Sequence, residues 1–285
     1  MASGNEIREF LTTRRGRLTP ELAGLRAYGG RRRVSGLRRE EVALLASISV
    51  EYYTQLERGS VRGVSEDVLE SVARALQLDD VERSHLFDLV RAAKRRPART
   101  RRTPERVRPG VQRVLDTITE SAAFVRNGRL DILSANQLGY ALYSEVFANP
   151  DRPANLARFI FLDQQSHQFY ADWDGIADAA VGNLRTEAGR DPYDRHLTEL
   201  VGELSLRSED FRIRWASHDV RQYRTGTQPF RHPLVGDLTL SYEALQLTAD
   251  IDLTLIVYTA EPDSPSQEAL NRLANWSQNL DKTSR

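Results

Sequence analysis

The chain has 285 residues, contains no cysteine, and carries 40 basic and 40 acidic side chains, so its formal net charge is zero. The lack of cysteine excludes disulfides, thiol nucleophiles and cysteine-based metal sites. The length predicts about two domains, and no apolar run is long enough to span a membrane. Because the opening MASGNEIREF lacks an export signal, we expect a cytoplasmic protein.

The net charge of zero conceals an uneven distribution. Residues 1–110 carry 23 basic and 15 acidic side chains, whereas the remaining residues carry 17 and 25. A basic first half and an acidic second half predict a polyanionic partner for the first half only. Nearly all of the basic residues are arginine, which suits phosphate binding but is equally explained by a GC-rich coding sequence.

A basic segment separates the two halves. The run RRPARTRRTPERVRPG contains three prolines and seven arginines and almost no apolar residue. Such a composition predicts an exposed linker, whose arginines either contact DNA phosphates or only keep a tether solvated. We place the linker at residues 96–110, between domains at 1–95 and 111–285.

The first half is predicted to be all-α. Five segments have apolar residues at helical spacing: EIREFLTTRRGRL, LRREEVALLA, SVEYYTQLERG, SEDVLESVARALQL and DDVERSHLFDLVRAAKRR. Ser49 and Ser65 are suited to cap the third and fourth segments, and Gly59 is suited to end the third.

The second and third segments predict a helix-turn-helix, because only a few small residues separate them. Many such turns have glycine where Ser47 stands, but serine also tolerates turns. In this arrangement Tyr53 is predicted to be buried and Tyr52 to be exposed. Glu57 is expected to have a structural partner, and not to contact a base.

The outward side of the third segment and the arginines around it are candidates for DNA contact. Gln55 matches the hydrogen-bonding edge of adenine, and Val50 can contact a thymine methyl group. The candidate base-contacting residues are Ser49, Val50, Glu51, Tyr52 and Gln55. The candidates for backbone contact are Arg31, Arg32, Arg33, Arg38, Arg39, Arg58 and Arg62, of which the first three could instead enter the minor groove. The alternative for each is an ordinary solvent-exposed side chain.

The second half is predicted to be mixed α+β. AAFVRNGRLDILSAN predicts a hairpin with a tight turn at Asn127-Gly128. GDLTLSYEALQL and DLTLIVYTAE predict strands, and helical spacing occurs in NQLGYALYSEVF, WDGIADAAVGNLRTEAG, PYDRHLTELVGELSL, SEDFRIRWASHD and SPSQEALNRLANWSQNL. Helices over one face of a sheet could enclose an apolar pocket.

Several stretches of the chain resemble known regulators. LRREEVALLASISVEYYTQLERG resembles the DNA-binding domain of the XRE family of lambda-repressor-like regulators, over about residues 5–95, and GGRRR before LRREEVA resembles its MmyB-like branch. The second half resembles the same branch in NLARFIFLD, EAGRDPYDRHLTELVGELSLRSEDF, WASHDV, TGTQPFRHPLVGDLTLSYEALQL and VYTAEPDSPS. The resemblance implies an all-α helix-turn-helix domain followed by an α+β PAS-like sensor domain. It also implies that the sensor domain binds a small, apolar molecule such as a fatty acid.

Candidate ligand-binding residues in the second half each have a structural alternative. Large apolar side chains either line a pocket or fill a core, and the candidates are Phe124, Leu133, Phe147, Phe159, Phe161, Trp173 and Trp215. Asn136 either contacts a ligand or caps a helix. Arg214 and His218 are one helical turn apart and could bind a carboxylate, whereas His232 is either a ligand contact or a structural group.

No catalytic motif is present. The five histidines are scattered, and the chain has no GxSxG, phosphate-loop or GxGxxG pattern. We therefore predict no enzymatic activity, no cofactor and no metal site.

The sequence predicts a transcription regulator that binds a double-stranded DNA operator as a homodimer. A small apolar effector in the second domain is expected to change its DNA affinity. The alternative is a second domain that serves as a ligand-free dimerisation or protein-interaction module.

Overall fold

The computed structural model describes most of the chain, namely residues 2–25, 34, 36–94, 106–148, 153–217 and 224–283. Within it the chain divides into two compact units. The first unit comprises residues 1–100, 185–198 and 214–221. The second unit comprises residues 101–184, 199–213 and 222–285.

The first unit contains the helices that the sequence predicts. They are α1 (Ala2–Arg17), α2 (Arg39–Leu45), α3 (Val50–Glu57), α4 (Glu66–Ala75) and α5 (Asp80–Lys94). The Ser49 hydroxyl accepts a hydrogen bond from the Tyr52 amide at 3.1 Å, and the Ser65 hydroxyl accepts one from the Val68 amide at 3.3 Å. Each of these N-caps contributes ~1 kcal/mol to the stability of its helix.

One hydrophobic core holds these helices together. Its fully buried members include Ile7, Phe10, Leu11, Val42, Tyr53, Leu56, Val72 and Leu86. Burial of each large apolar side chain contributes about 1.5–3 kcal/mol. Because Tyr53 and Leu56 belong to this core, the opposite side of α3 faces away from it.

The turn between α2 and α3 closes on a residue in the left-handed region. Ser47 has φ +56°, and the Ile48 amide donates a 3.0 Å hydrogen bond to the Ala43 carbonyl. Glycine is the usual residue in such a helix ending, because a side chain there costs about 1 kcal/mol. Gly59 fulfils that role at the end of α3 with φ +86°, and a Cβ at this position would lie 2.3 Å from the Gly4 carbonyl oxygen.

The second unit is built on a five-stranded antiparallel sheet, as the α+β prediction required. Its strands are β1 (Ala122–Asn127), β2 (Ile132–Ala135), β3 (Thr225–His232), β4 (Gly236–Gln246) and β5 (Leu253–Thr259), in the order β2-β1-β5-β4-β3. The helices that follow α5 along the chain are α6 (Pro109–Thr117), α7 (Gln137–Leu142), α8 (Ser144–Ala148), α9 (Leu156–Leu162), α10 (Ser166–Phe169), α11 (Trp173–Arg190), α12 (Arg195–Arg207), α13 (Glu209–Ala216) and α14 (Pro265–Thr283).

The two faces of the sheet differ in what they pack against. Alternate residues of a strand point to opposite faces. One face forms an aliphatic cluster with α6, whose buried members are Leu115, Ala123, Val125, Leu253 and Leu255. The intervening residues Phe124, Ile256 and Tyr258 therefore point to the other face, which is aromatic.

The turn between β1 and β2 is not the predicted two-residue turn at Asn127-Gly128. It is a longer loop, in which the Asn127 side-chain oxygen accepts hydrogen bonds from the amides of Arg129 and Asp131 at 2.9 and 3.0 Å. The Asp131 carboxylate in turn accepts hydrogen bonds from the side chains of Asn127 and Asn155 at 2.8 and 2.7 Å. The prediction was wrong because these side-chain hydrogen bonds stabilise the longer loop.

Candidate DNA-binding surface and ligand cavity

The outward side of α3 is exposed along its length. Val50, Glu51 and Gln55 are exposed, Ser49 is exposed at the N-cap, and Tyr53 on the opposite side is fully buried. An α-helix that presents such side chains has the dimensions that the major groove accepts.

Tyr52 is half-buried and not exposed as predicted. Its ring packs against the core of the first unit, although its position follows Val50 and Glu51 on the outward side. Only part of the ring therefore reaches the surface of α3.

Glu57 connects three helices. Its carboxylate accepts hydrogen bonds from Arg15 of α1 at 3.0 Å, from Arg39 of α2 at 3.0 Å and from Thr12 at 3.2 Å. The Glu57 side chain is 1% exposed and that of Arg39 is 47% exposed. Burial opposes ionisation, but the hydrogen bonds from Arg15 and Arg39 dominate and lower the pKa of Glu57. Glu57 thus has the structural partners predicted for it, and it orients Arg39.

Further arginines lie close to α3 in sequence. Arg38 is the N-cap residue of α2, and its exposed side chain lies 3.3 Å from Glu40. Arg58 and Arg62 follow α3 and are exposed. Exposed guanidinium groups can neutralise DNA phosphates. Arg31, Arg32 and Arg33 lie outside the residues that the structure describes.

The second unit contains a cavity between the aromatic face of the sheet and α11. Its volume is about 70 Å³. The lining residues are Phe124, Arg126, Gln228, Tyr242, Ile256 and Tyr258 from the sheet, Ile176, Ala179, Ala180 and Asn183 from α11, and Leu130, Tyr143, Leu156, Ile160 and Tyr170 from other segments. The small side chains of α11 leave room beside the sheet.

Three tyrosines of this lining, Tyr143, Tyr170 and Tyr258, form a tyrosine cluster. The hydroxyl oxygens of Tyr143 and Tyr258 are 2.8 Å apart, which is a hydrogen-bonding distance, and Tyr170 lines the same cavity. Burial raises the pKa of all three, and that of Tyr258 reaches about 12. The cluster therefore stays uncharged at neutral pH and offers hydroxyl donors and acceptors.

Other polar side chains also line the cavity. Arg126 donates a 3.3 Å hydrogen bond to the Asn183 side-chain oxygen, and Asn183 donates one to the Ala179 carbonyl at 2.9 Å. Gln228 is 6% exposed, and within the described part of the chain its side chain makes one hydrogen bond, to the Pro229 carbonyl at 3.3 Å. The described lining includes no carboxylate. It therefore favours a ligand that accepts hydrogen bonds.

Comparison with protein-family models gives two matches along the chain. Residues 6–86 match a helix-turn-helix domain, and residues 107–273, more than half of the chain, match the MmyB-like transcription regulator ligand binding domain. The chain belongs to the MmyB-like transcription regulators. It is thus a transcription regulator with a DNA-binding domain followed by a ligand-binding domain. No curated protein matches the chain.

Of the apolar ligand residues predicted for this MmyB-like regulator, Phe124 lines the cavity. Leu133 packs in the aliphatic cluster on the other face of the sheet. Asn136 caps α7, because its side-chain oxygen accepts hydrogen bonds from the amides of Gly139 and Ala123 at 2.7 and 2.9 Å. Helix capping, the alternative to ligand contact at Asn136, therefore accounts for these hydrogen bonds.

Most of the predicted aromatic residues pack against other aromatic rings and do not line this cavity. Phe159 contacts the rings of Phe169 and Tyr170, and Phe161 contacts those of Trp173 and Phe211. Phe147 packs against Tyr140 with the rings tilted and their centroids 4.7 Å apart, and it lines a separate groove. Trp173 donates a 3.2 Å hydrogen bond to the Ile160 carbonyl.

The predicted polar ligand residues are also absent from the cavity lining, as far as the structure describes them. A ring nitrogen of buried His232 lies 3.1 Å from the Ala141 carbonyl oxygen, and burial lowers the pKa of this histidine. Arg214 and Trp215 belong to the first unit, where the Arg185 guanidinium stacks over the Trp215 ring at 4.3 Å. His218 lies outside the described residues.

Sequence reasoning missed most of the cavity of the MmyB-like regulator. The alternation that predicted β4 and β5 separates Tyr242, Ile256 and Tyr258 from their neighbours, but it does not say which face of the sheet encloses space. Tyr143 and Tyr170 each lie just after a short helix, and no pattern in the sequence brings them together.

Among the described residues, no group of three or more histidine, aspartate or glutamate side chains could hold a metal ion. No helix in the described ranges combines the length and the apolar character needed to cross a membrane.

Proposed function

We propose that this regulator binds a double-stranded operator through residues 1–95 and senses a small, apolar, fatty-acid-like effector through residues 111–285. The cavity on the aromatic face of the sheet carries the proposal. Its lining is mainly apolar and includes a few polar groups, which is the usual character of small-molecule sites. Effector binding then changes operator affinity.

On the DNA side, we propose base contacts from the outward side of α3, through Ser49, Val50, Glu51, Tyr52 and Gln55. Phosphate contacts come from Arg38, Arg39, Arg58 and Arg62, and we extend them to Arg31, Arg32 and Arg33. The exposure of Gln55 and Arg58 supports this assignment. One helix-turn-helix reads only a few base pairs, so we propose that a homodimer reads a two-fold operator.

Regulation then follows from linkage between the two sites. An effector shifts the protein between states only as far as it binds one state more tightly than the other. A change of DNA affinity therefore requires that the DNA-competent and DNA-incompetent states differ in their affinity for the effector.

Native mass spectrometry of the purified protein, followed by its denatured mass, tests the sensing proposal. We expect excess mass that is lost on denaturation and whose identity is a small apolar compound. The recovered compound, added back, is expected to change the affinity of the protein for operator DNA. The proposal of an apolar effector would be contradicted by a native mass without bound small molecule, together with an operator affinity that octanoate and longer fatty acids leave unchanged.

A second candidate function for the ligand-binding domain is protein interaction. A separate groove lined by Tyr140, Phe147 and Trp276 favours it, because Tyr140 and Trp276 are large and exposed. The same native spectrum distinguishes the two functions, since an interaction module gives an oligomer or complex without small-molecule mass.

A further inference from the structure

We infer that the tyrosine cluster binds the polar end of the effector by donating a hydrogen bond to a carbonyl-type oxygen. This inference rests on the proposed effector-sensing function and adds to it which atom of the effector is recognised and by which residues. A carboxylate and a neutral carbonyl group both supply such an oxygen.

The first argument is a count of donors. Three hydroxyls carry three protons, and the hydrogen bond within the cluster joins Tyr143 to Tyr258. This bond uses one of the three protons. In the described part of the chain, these hydroxyls make no other hydrogen bond. At least one proton is left for an acceptor from outside, whichever way each bond points.

The second argument is location. The three side chains are almost fully buried and line the cavity together with Phe124 and Ile256, which have no polar side-chain atoms. A donor in apolar surroundings is costly to leave without an acceptor, and a hydrogen bond made there is stronger than one in water. An effector oxygen placed at the cluster removes that cost.

The third argument is that the polar groups of the lining are mainly hydrogen-bond donors. Gln228 and Arg126 also bring N–H donors to the lining, and the described lining contains no carboxylate that would repel an anion. An effector with an acceptor oxygen thus suits the whole polar part of the cavity. An effector with an ammonium group does not suit it, because an ammonium group can only donate hydrogen bonds.

Isothermal titration of the full chain with three probes of similar size tests the inference. Octanoate carries a charged carboxylate, 2-nonanone carries a neutral carbonyl group, and 1-nonene has no oxygen. We expect wild-type protein to bind at least one oxygen probe, and the comparison of octanoate with 2-nonanone shows which source of the oxygen is preferred. 1-Nonene supplies the apolar contribution alone.

The variants Tyr143→Phe and Tyr258→Phe each remove one hydroxyl and keep the ring. The variant that removes the donating hydroxyl is expected to weaken binding of the preferred oxygen probe about tenfold, which is a typical effect of one lost hydrogen bond. Binding of 1-nonene is expected to change less than about twofold. Tyr193→Phe, which removes an exposed hydroxyl outside both the cavity and the groove, is the matched control.

The outcomes separate this inference from the proposed function. Oxygen probes that bind wild type and both variants equally would overturn the role of the cluster while leaving effector sensing intact. Failure of wild type to bind any of the three probes would overturn both. If one variant does not fold, the other variant and the wild-type preference for oxygen probes over 1-nonene still decide the question.

Discussion

Glu57 illustrates how a single buried residue fixes the candidate DNA-binding surface. Its carboxylate is contacted by arginines of α1 and α2, so both helices are tied to the end of α3. Arg39 is held at one end by Glu57 and remains half exposed. A guanidinium that is already oriented loses less conformational freedom when it binds a phosphate.

The variant Glu57→Gln is expected to lower the free energy of unfolding by about 2–3 kcal/mol, because it leaves Arg15 without its charged partner in a largely buried place. Chemical denaturation at neutral pH measures this change. Glu51→Gln, on the exposed side of the same helix, is the control and should alter stability by less than about 0.5 kcal/mol. Equal effects of the two variants would rule out a structural role for Glu57.

Gln55→Ala is expected to relax the sequence preference of the regulator, whereas Arg39→Ala is expected to weaken binding to all sequences alike. The first change removes a hydrogen-bonding group suited to adenine, worth about 1–3 kcal/mol at one base pair, and the second removes a proposed phosphate contact. Selection from a random DNA pool, followed by titration at several salt concentrations, measures both. An unchanged preferred operator for Gln55→Ala would show that this residue does not read a base.

At the scale of elements, the cavity depends on the small side chains of α11. Ala179 and Ala180 face the sheet at the positions where larger residues would close the space. The helix therefore both covers the aromatic face and leaves part of it accessible.

Ala179→Leu is expected to weaken effector binding at least about tenfold, because the added side chain occupies the cavity. Stability should change by less than about 1.5 kcal/mol, since the new atoms enter empty space. Titration with octanoate or 2-nonanone, together with thermal unfolding, measures both quantities. The control is Ala216→Leu, at an exposed position of α13. Undiminished binding by Ala179→Leu would place the effector elsewhere.

The elements that sequence patterns predicted are those governed by local periodicity. Apolar spacing located the helices of the first unit, and alternation located β4 and β5, because both patterns reflect burial of one side of an element. The loop after Asn127 was not predictable, since Asp131 and Asn155 stabilise it from a distance. The cavity was not predictable either, because empty space depends on how several elements pack. At Ser47 the sequence departs only slightly from the usual pattern, because serine occupies a turn position at which glycine is preferred.

At the scale of the whole molecule, the uneven distribution of charge matches the division of roles. The basic residues 1–110 suit contact with DNA, and DNA affinity is expected to fall steeply with salt, whereas binding of a neutral effector is not. Salt titration of the two binding reactions therefore separates them experimentally.

Effector and operator are expected to influence each other by the same factor. If the effector weakens operator binding tenfold, the operator must weaken effector binding tenfold, because both describe one coupling free energy. Titrating effector into free protein and into the protein–operator complex measures this factor. Effector affinity that does not depend on DNA would show that the cavity is not linked to DNA binding.

The alternation of residues along β1 and β5 has a consequence for how the family can diversify. A substitution at Ile256 or Tyr258 alters the chemistry of the cavity, while its neighbours Leu255 and Val257 continue to anchor the sheet on α6. If the cavity binds the effector as proposed, single mutations at every second position are expected to change which compound is recognised, while the packing of the sheet on α6 is kept.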